Sequence, residues 1–275
     1  GDRVELIAAE KAGIIKPGIP VVCAPQPIEA LEVIESISQE RSSPLSVIGR
    51  DWSVKPGHTS LDGQSLQINR MDNGVSDFDG DYWIPLLGRY QLENAATAVA
   101  ALDALRARGF EIPVEAVRMG LSQVYWPGRL EIISRDPVVV VDCAHNPYSV
   151  QMLRQAVEEL FPDMRWVLIF GASADKSIRE MLVTLLPLSD YVIVTRSEHP
   201  RAATPMELAD IVAELGSGAE VSVNVRKAIQ RGLAVMPAGG GLLVTGSIFV
   251  VADAEEEWAS LNGMPMPDND RPMEA

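Results

Sequence analysis

Four places in this sequence put polar side chains directly behind a short apolar run. The run 138–141 leads into Asp142 and then Ala144-His145-Asn146-Pro147, and the run 166–170 leads into Gly171-Ala172-Ser173, with Asp175-Lys176 slightly later. The run 191–194 leads into Thr195-Arg196, and the run 242–245 into Gly246-Ser247. An aspartate at a strand end can accept both hydroxyls of a ribose, and a nearby His, Arg, Lys or Ser can hold a carboxylate or a phosphate. That chemistry is a nucleotide or amino-acid pocket. Taken singly the residues have plainer uses: Asp142 as the cap of a helix opening near Tyr148, Gly171 and Gly246 as turn formers, His145 as a hydrogen-bonded link between Asp142 and Asn146. Convergence at four strand ends favours a site, because ligands of open parallel sheets gather outside the carboxyl ends of the strands. His58 and His199 lie in turn-like sequence and carry no assignment. Gly239-Gly240-Gly241 precedes a strand instead of opening a helix, so it reads as a turn. The sequence has no Gly-x-x-x-x-Gly-Lys-Ser/Thr phosphate loop and no Cys/His cluster with zinc spacing.

The elements that must position these residues follow from periodicity. From Tyr125-Trp126-Pro127-Gly128 onward, apolar runs alternate with helical stretches near 149–160, 177–186, 205–215 and 226–235, and a further short strand lies near 220–223. Such alternation predicts a parallel sheet covered by helices on both faces. Before Tyr125 the pattern differs. Residues 3–12 are helical, Pro17-Gly18 closes them before the apolar run 19–23, and a helix at 28–39 is followed by a strand near 45–48. The stretch 52–87, rich in Gly, Asp and Asn, predicts antiparallel hairpins. An Ala-rich helix covers 94–108, and Pro113 opens another.

The length, 275 residues, suits two domains, with a boundary close to Tyr125. Hydrophobic residues make up 47% of the chain, enough for two cores and against disorder along its whole length. The net charge of −15 opposes binding to a nucleic-acid backbone. Seven acidic residues against Arg271 alone fall in residues 251–275, and the last dozen read as a solvated tail. Without a long apolar run or a signal pattern the chain is expected to be soluble and cytoplasmic, with no membrane partner. Cys23 and Cys143 each follow a strand-like run and are expected reduced.

Five segments together resemble the folylpolyglutamate synthase and dihydrofolate synthase family of the Mur ligase superfamily. They are Ile7-Ala8-Ala9-Glu10-Lys11-Ala12-Gly13-Ile14-Ile15-Lys16-Pro17-Gly18, Leu87-Gly88-Arg89-Tyr90-Gln91-Leu92-Glu93-Asn94-Ala95-Ala96-Thr97-Ala98, Trp126-Pro127-Gly128-Arg129-Leu130-Glu131, Asp142-Cys143-Ala144-His145-Asn146-Pro147 and Thr245-Gly246-Ser247. Their order and rough spacing match as well. The family usually has Gly at the position of Cys143 and an acidic residue at that of Ser177. The resemblance implies an α/β fold in three parts: residues 1–124 as part of a Mur-ligase-type ATPase domain, 125–262 as a Rossmann-like, mainly parallel glutamate-ligase domain, and 263–275 as an acidic, proline-bearing tail.

It also implies a reaction, in which ATP phosphorylates a carboxylate of dihydropteroate or of a folate's glutamate and the amine of L-glutamate displaces the phosphate. Lys11, as a carbamate, would help hold Mg2+, a carbamate being an oxygen ligand suited to a hard cation. Asn94 would bind the adenine amino group, Arg129 a phosphate and Asp142 the ribose. His145, with a catalytic part, and Ser247 would sit toward the glutamate site, the two sharing one open pocket with Asp142 on its rim. Plainer uses exist for Lys11 at a helix C-terminus and for Asn94 as an N-cap before 95–105. The segments match the C-terminal three-fifths of such an enzyme. The expectation is therefore a ligase fragment, inactive without an N-terminal half bearing the phosphate loop; the alternatives are a stand-alone nucleotide- or amino-acid-binding module and a Mur-type ligase for another amino acid.

Overall fold

A computed structural model describes residues 3–71 and 76–265, which fall into two units, Gly1–Tyr125 and Trp126–Ala275. Most of the expected acidic tail, from residue 266 on, lies outside the described residues.

In the first unit two helices, α1 (Val4–Ala12) and α2 (Ile28–Glu40), accompany a pair of three-residue parallel strands, β1 (Val21–Cys23) and β2 (Leu45–Val47). Side chains rather than a large core fix the turns between them: Ser43 Oγ donates to the Lys16 carbonyl at 2.8 Å, and the Arg41 guanidinium donates to the Ile15 carbonyl. The Gly- and Asp-rich stretch forms an antiparallel meander of β3 (Trp52–Ser60), β4 (Gly63–Arg70) and β5 (Gly80–Ile84). Helix α3 (Arg89–Arg106) lays Leu92, Ala95, Ala96 and Val99 into one core with Trp52, Ile68, Phe78 and Ile84. Small alanines let the helix backbone approach the sheet closely. Asn94 is not the N-cap: α3 starts at Arg89, directly after Gly88, and Asn94 stands inside it. Helix α4 (Val114–Ser122) begins behind Pro113.

The second unit is a six-stranded sheet in the order β10-β9-β8-β11-β7-β6. Its strands are β6 (Glu131–Arg135), β7 (Val138–Asp142), β8 (Trp166–Phe170), β9 (Ser189–Val194), β10 (Glu220–Val221) and β11 (Gly241–Thr245). All neighbours run parallel except β6, which pairs antiparallel with β7 at the edge. The sequence pattern contains no strand at 131–135, because an edge strand of half-buried residues with Glu131 and Arg135 at its ends makes no apolar run.

Successive strand residues alternate between faces, so Val139, Val141, Val167, Ile169, Leu242 and Val244 form one core with α8 (Val225–Val235) and α9 (Ile248–Leu261). The other face is left to α5 (Pro147–Leu160), α6 (Ile178–Leu185) and α7 (Pro205–Glu214), whose buried sides carry Leu153, Leu182 and Leu208. Both α5 and α7 open with a capping box and a first-turn proline: Asn146 with Ser149, and Thr204 with Glu207. The cap of α5 is thus Asn146, and Asp142 is free for other bonds.

Candidate functional site

The connections of the sheet decide where a ligand can sit. Strand β11 enters between β7 and β8, and the helices that follow β7 and β8 cover one face while the helix after β11 covers the other. Chains leaving neighbouring strands in opposite directions open a crevice at the carboxyl ends, the usual ligand position in such sheets. Asp142 stands opposite Thr245, and Thr245 opposite Phe170, so Asp142–His145, Gly171–Ser173 and Gly246–Ser247 emerge at one level. At Gly246 (φ 108°) a Cβ would stand 2.6 Å from the Gly171 carbonyl oxygen, so only glycine fits where these strand ends close together.

Asp142 is the hub beneath this crevice. Its Oδ2 accepts the Leu130 amide and its Oδ1 the Ala144 amide, both at 2.8 Å, while its carbonyl accepts the Thr245 hydroxyl at 2.7 Å. Only 5% of the residue is exposed, so it lies under the cluster and not on an open rim. Burial pushes its carboxyl up to about 6, against the pull of the two amides and of the Arg129 and His145 charges. Its partner Leu130 is a buried residue with φ 44°, a left-handed conformation that β-carbons resist. The Gly128 carbonyl accepts the Cys143 amide at 2.8 Å, so the 126–130 turn is tied to the end of β7 at two points. Arg129 stands between them, half exposed and without an ion pair among the described residues. Sequence reasoning missed Leu130 and Thr245, since neither residue type signals its bond.

The remaining predicted residues are placed as follows. His145 is exposed; its Nδ1 lies 2.9 Å from the Cys143 carbonyl and its amide donates to Ser149 Oγ. Ser247 is buried, and its Oγ accepts the Phe249 amide at 3.3 Å as the N-cap of α9. The two leave adjacent strands, His145 exposed and Ser247 buried like Asp142. An open groove of about 510 Å³ lies between α5 and α6, lined by Pro147, Tyr148, Gln151, Arg179 and Val183 among others. Cys143 is a thiol held up to about 12 by burial and by the Asp142 carboxylate, so it offers no thiolate.

Lys11 and Asn94 stand on the first unit. Lys11 is exposed near the end of α1, its Nζ 2.8 Å from Glu10 Oε1. The Asn94 amide donates to Gln91 Oε1 at 2.9 Å, which leaves its exposed Oδ1 to accept a further hydrogen. No three metal-binding side chains cluster among the described residues, and among them no helix is long and apolar enough to cross a membrane.

With this geometry in hand, residues 128–248 match the Mur ligase glutamate ligase domain. That match falls wholly within the second unit. More particularly, the chain belongs to the folylpolyglutamate and dihydrofolate synthase family. It is 30% identical over 256 residues, 92% of its length, to the dihydrofolate synthase/folylpolyglutamate synthase of Bacillus subtilis. It superimposes on Mycobacterium tuberculosis folylpolyglutamate synthase, solved with ADP and AMPPCP, with a TM-score of 0.82, 29% identity and 97% of its length covered. For an Escherichia coli relative solved with DHPP and ADP the values are 0.77, 29% and 94%. The chain spans 58% of the Bacillus protein, and 61% and 57% of the two solved ones.

Proposed function

We propose that this chain supplies the glutamate-ligase domain and part of the nucleotide site of a cytoplasmic ATP-dependent ligase, one that joins L-glutamate to dihydropteroate or to the γ-carboxylate of a folylpolyglutamate through an acyl phosphate. The observation that carries the reading is the polar cluster at the crevice of a glutamate ligase domain, with Arg129 presented by a turn anchored on Asp142. In this reading residues 1–124 are the C-terminal portion of the ATP-binding domain and 125–262 the glutamate-ligase domain.

The residues present suit the nucleotide in part. Arg129 has a planar guanidinium, without an ion pair among the described residues, of the kind that phosphate oxygens take, and Asn94 Oδ1 would accept the adenine amino group. Asp142 retains one acceptor site on each oxygen for a ribose hydroxyl, close against the strand end. Lys11, as a carbamate beside Glu10, would give Mg2+ one or two oxygen donors, the number it commonly takes from protein, with phosphates and water filling its shell. Bound Mg2+ would neutralise charge on the phosphates. His145 and the α9 amides capped by Ser247 would face the amino-acid carboxylate.

The test is glutamate-dependent ADP release with magnesium, ATP and dihydropteroate. The chain alone should be inactive, because phosphoryl transfer depends on positioned phosphates and metal ions that these residues hold only partly. Co-expression with the segment that completes a curated relative should restore turnover. There, Arg129→Ala should raise the ATP requirement and leave the glutamate requirement near that of the parent. Glutamate-dependent ADP release by the chain alone, or equal shifts in both requirements, would overturn these assignments.

A further inference from the structure

Helix α9 carries a carboxylate that the site above does not use. Glu255 is 8% exposed, and among the described residues no donor reaches its Oε1. It faces Glu131, the first residue of β6, whose Oε2 accepts the Gly128 amide at 2.8 Å. The same Gly128 lies against Glu255, since a Cβ built on it would stand 3.6 Å from Glu255 Oε1. The groups that act on Glu255 are Glu131 from β6 and Glu256 from its own helix, which raise it, and the Gly128 amide, which pulls the other way; Cys143 at the end of β7 lies within reach of the same carboxylate. The nearest ion pair on α9 belongs to Glu257 and Arg226 of α8. Two neighbouring carboxylates, one of them buried, repel strongly if both are ionised.

We propose that Glu255 is held as the carboxylic acid, that its O–H donates to the Glu131 carboxylate, and that this shared proton latches α9 to the 126–130 turn. Glu131 and Glu255 are then positioning residues for Arg129, and this part rests on the phosphate role given to Arg129 above. Desolvation and the Glu131 charge push the Glu255 carboxyl up to about 7, so the latch is closed in mild acid and opens as the pH rises past neutrality. On opening, the freed charge repels Glu131, and the Gly128 amide loses its acceptor. The neighbouring Asp142 anchors the other side of the turn through Leu130 and keeps Arg129 from leaving altogether.

The whole chain, carbon-13 labelled at glutamate Cδ, tests this by carboxyl titration. One glutamate should titrate near the value of about 7 and vanish from the spectrum of Glu255→Gln. Amide exchange at Gly128 should accelerate above that midpoint more than base catalysis requires. Glu255→Gln, whose amide N–H donates to Glu131 at every pH, should remove the excess acceleration. Glutamates that all titrate at their ordinary value in the parent overturn the proposal without need of any variant, and so does an unchanged exchange profile in Glu255→Gln. Calorimetry with ADP reads the positioning role: Glu255→Ala should weaken ADP by about tenfold, as expected for one charge-assisted hydrogen bond held off its mark, and Glu255→Gln should rescue it. Unaltered ADP affinity in Glu255→Ala would sink the positioning role. A parent that binds no ADP yet shows the high glutamate titration would defeat the nucleotide reading and support the shared proton.

Discussion

The two units spend their apolar residues differently. In the second, β8 and β11 are buried along their whole length and β7 nearly so, each strand sandwiched between two layers of helices. In the first, β1 and β2 are three residues long and mostly half-buried, and Leu6, Ile7, Ile14 and Ile28 on and around α1 and α2 stand in water, Ile14 at 79% exposure. Apolar surface of that kind ordinarily lies under another element or another chain. A sheet with helices on both faces closes its own core; a two-stranded sheet with helices beside it does not.

The largest expected effect follows from that contrast. Residues 126–265 produced alone should unfold cooperatively in denaturant with one midpoint. Residues 3–125 should be self-associated or lack a sharp transition, since each exposed Leu or Ile forgoes about 1.5–3 kcal/mol of burial. Sedimentation and urea titration of the two pieces read this directly. A sharp transition of the first piece as a dilute monomer would mean that the β3–β5 core with α3 suffices for stability.

Next in size is the loss of a buried hub. Asp142→Ala strands two buried amides and should destabilise the second unit by about 2–4 kcal/mol. The corresponding carboxylate of the first unit, Asp103, accepts from Ser76 Oγ at 2.6 Å and from Arg70 at 3.0 Å, but the Arg70 side chain, a third exposed, also reaches water. Asp103→Ala should cost only about 1 kcal/mol. Equal losses would erase the distinction between a hub that builds a site and one that ties a loop.

These differences also explain what was legible in the sequence. Strands buried on both faces leave uninterrupted apolar runs, so β7, β8, β9 and β11, and with them the polar residues at their ends, were readable. Edge strand β6 was not, because its residues are half-buried and bounded by charge. The start of α3 was hidden by the polar run Arg89-Tyr90-Gln91, which made Asn94 look like a cap. The site suffered most where conformation, not residue type, makes the bond: nothing about leucine announces φ 44° at Leu130. The sequence shows Glu255-Glu256-Glu257 only as part of the acidic stretch 251–275, and packing alone shows that its first member is buried.

A pH series sharpens the same comparison. Burial raises Asp142 from 3.8 to about 6 and Glu255 from 4.5 to about 7, so the folded second unit holds protons that the unfolded chain has released. Its stability should therefore fall as the pH rises from about 4 to about 7, by roughly 2–3 kcal/mol for the buried Asp142 and by less for Glu255. In the first unit the exposed Glu5 and Glu10 are shifted the other way, by Arg3 and Lys11, and contribute stability that disappears in acid, weakly because water screens it. Asp142→Asn should flatten the curve of 126–265 at its acid end. An unchanged slope would place the responsible protons elsewhere.

The smallest expected effect on stability is at Lys11, and its smallness is informative. The side chain is exposed and its one ion pair, to the adjacent Glu10, stands in water, so Lys11→Ala should move the unfolding midpoint by no more than about 0.5 kcal/mol. If Lys11 served chiefly to complement the carbonyl end of α1, its removal would loosen that helix and quicken amide exchange around Ile14 and Ile15, whose amides close the turn after it. If instead it awaits a carbamate and Mg2+, the fold is indifferent to its loss and turnover of the completed ligase is not. Lys11→Arg separates the two outcomes, because arginine keeps the charge at the helix end but cannot supply the oxygen donors of a carbamate. Full turnover in Lys11→Arg would return the residue to a helix-end role. Loss of turnover with an unchanged unfolding midpoint would leave the ligand role as the reason for a lysine at a position where the fold of the first unit asks for none.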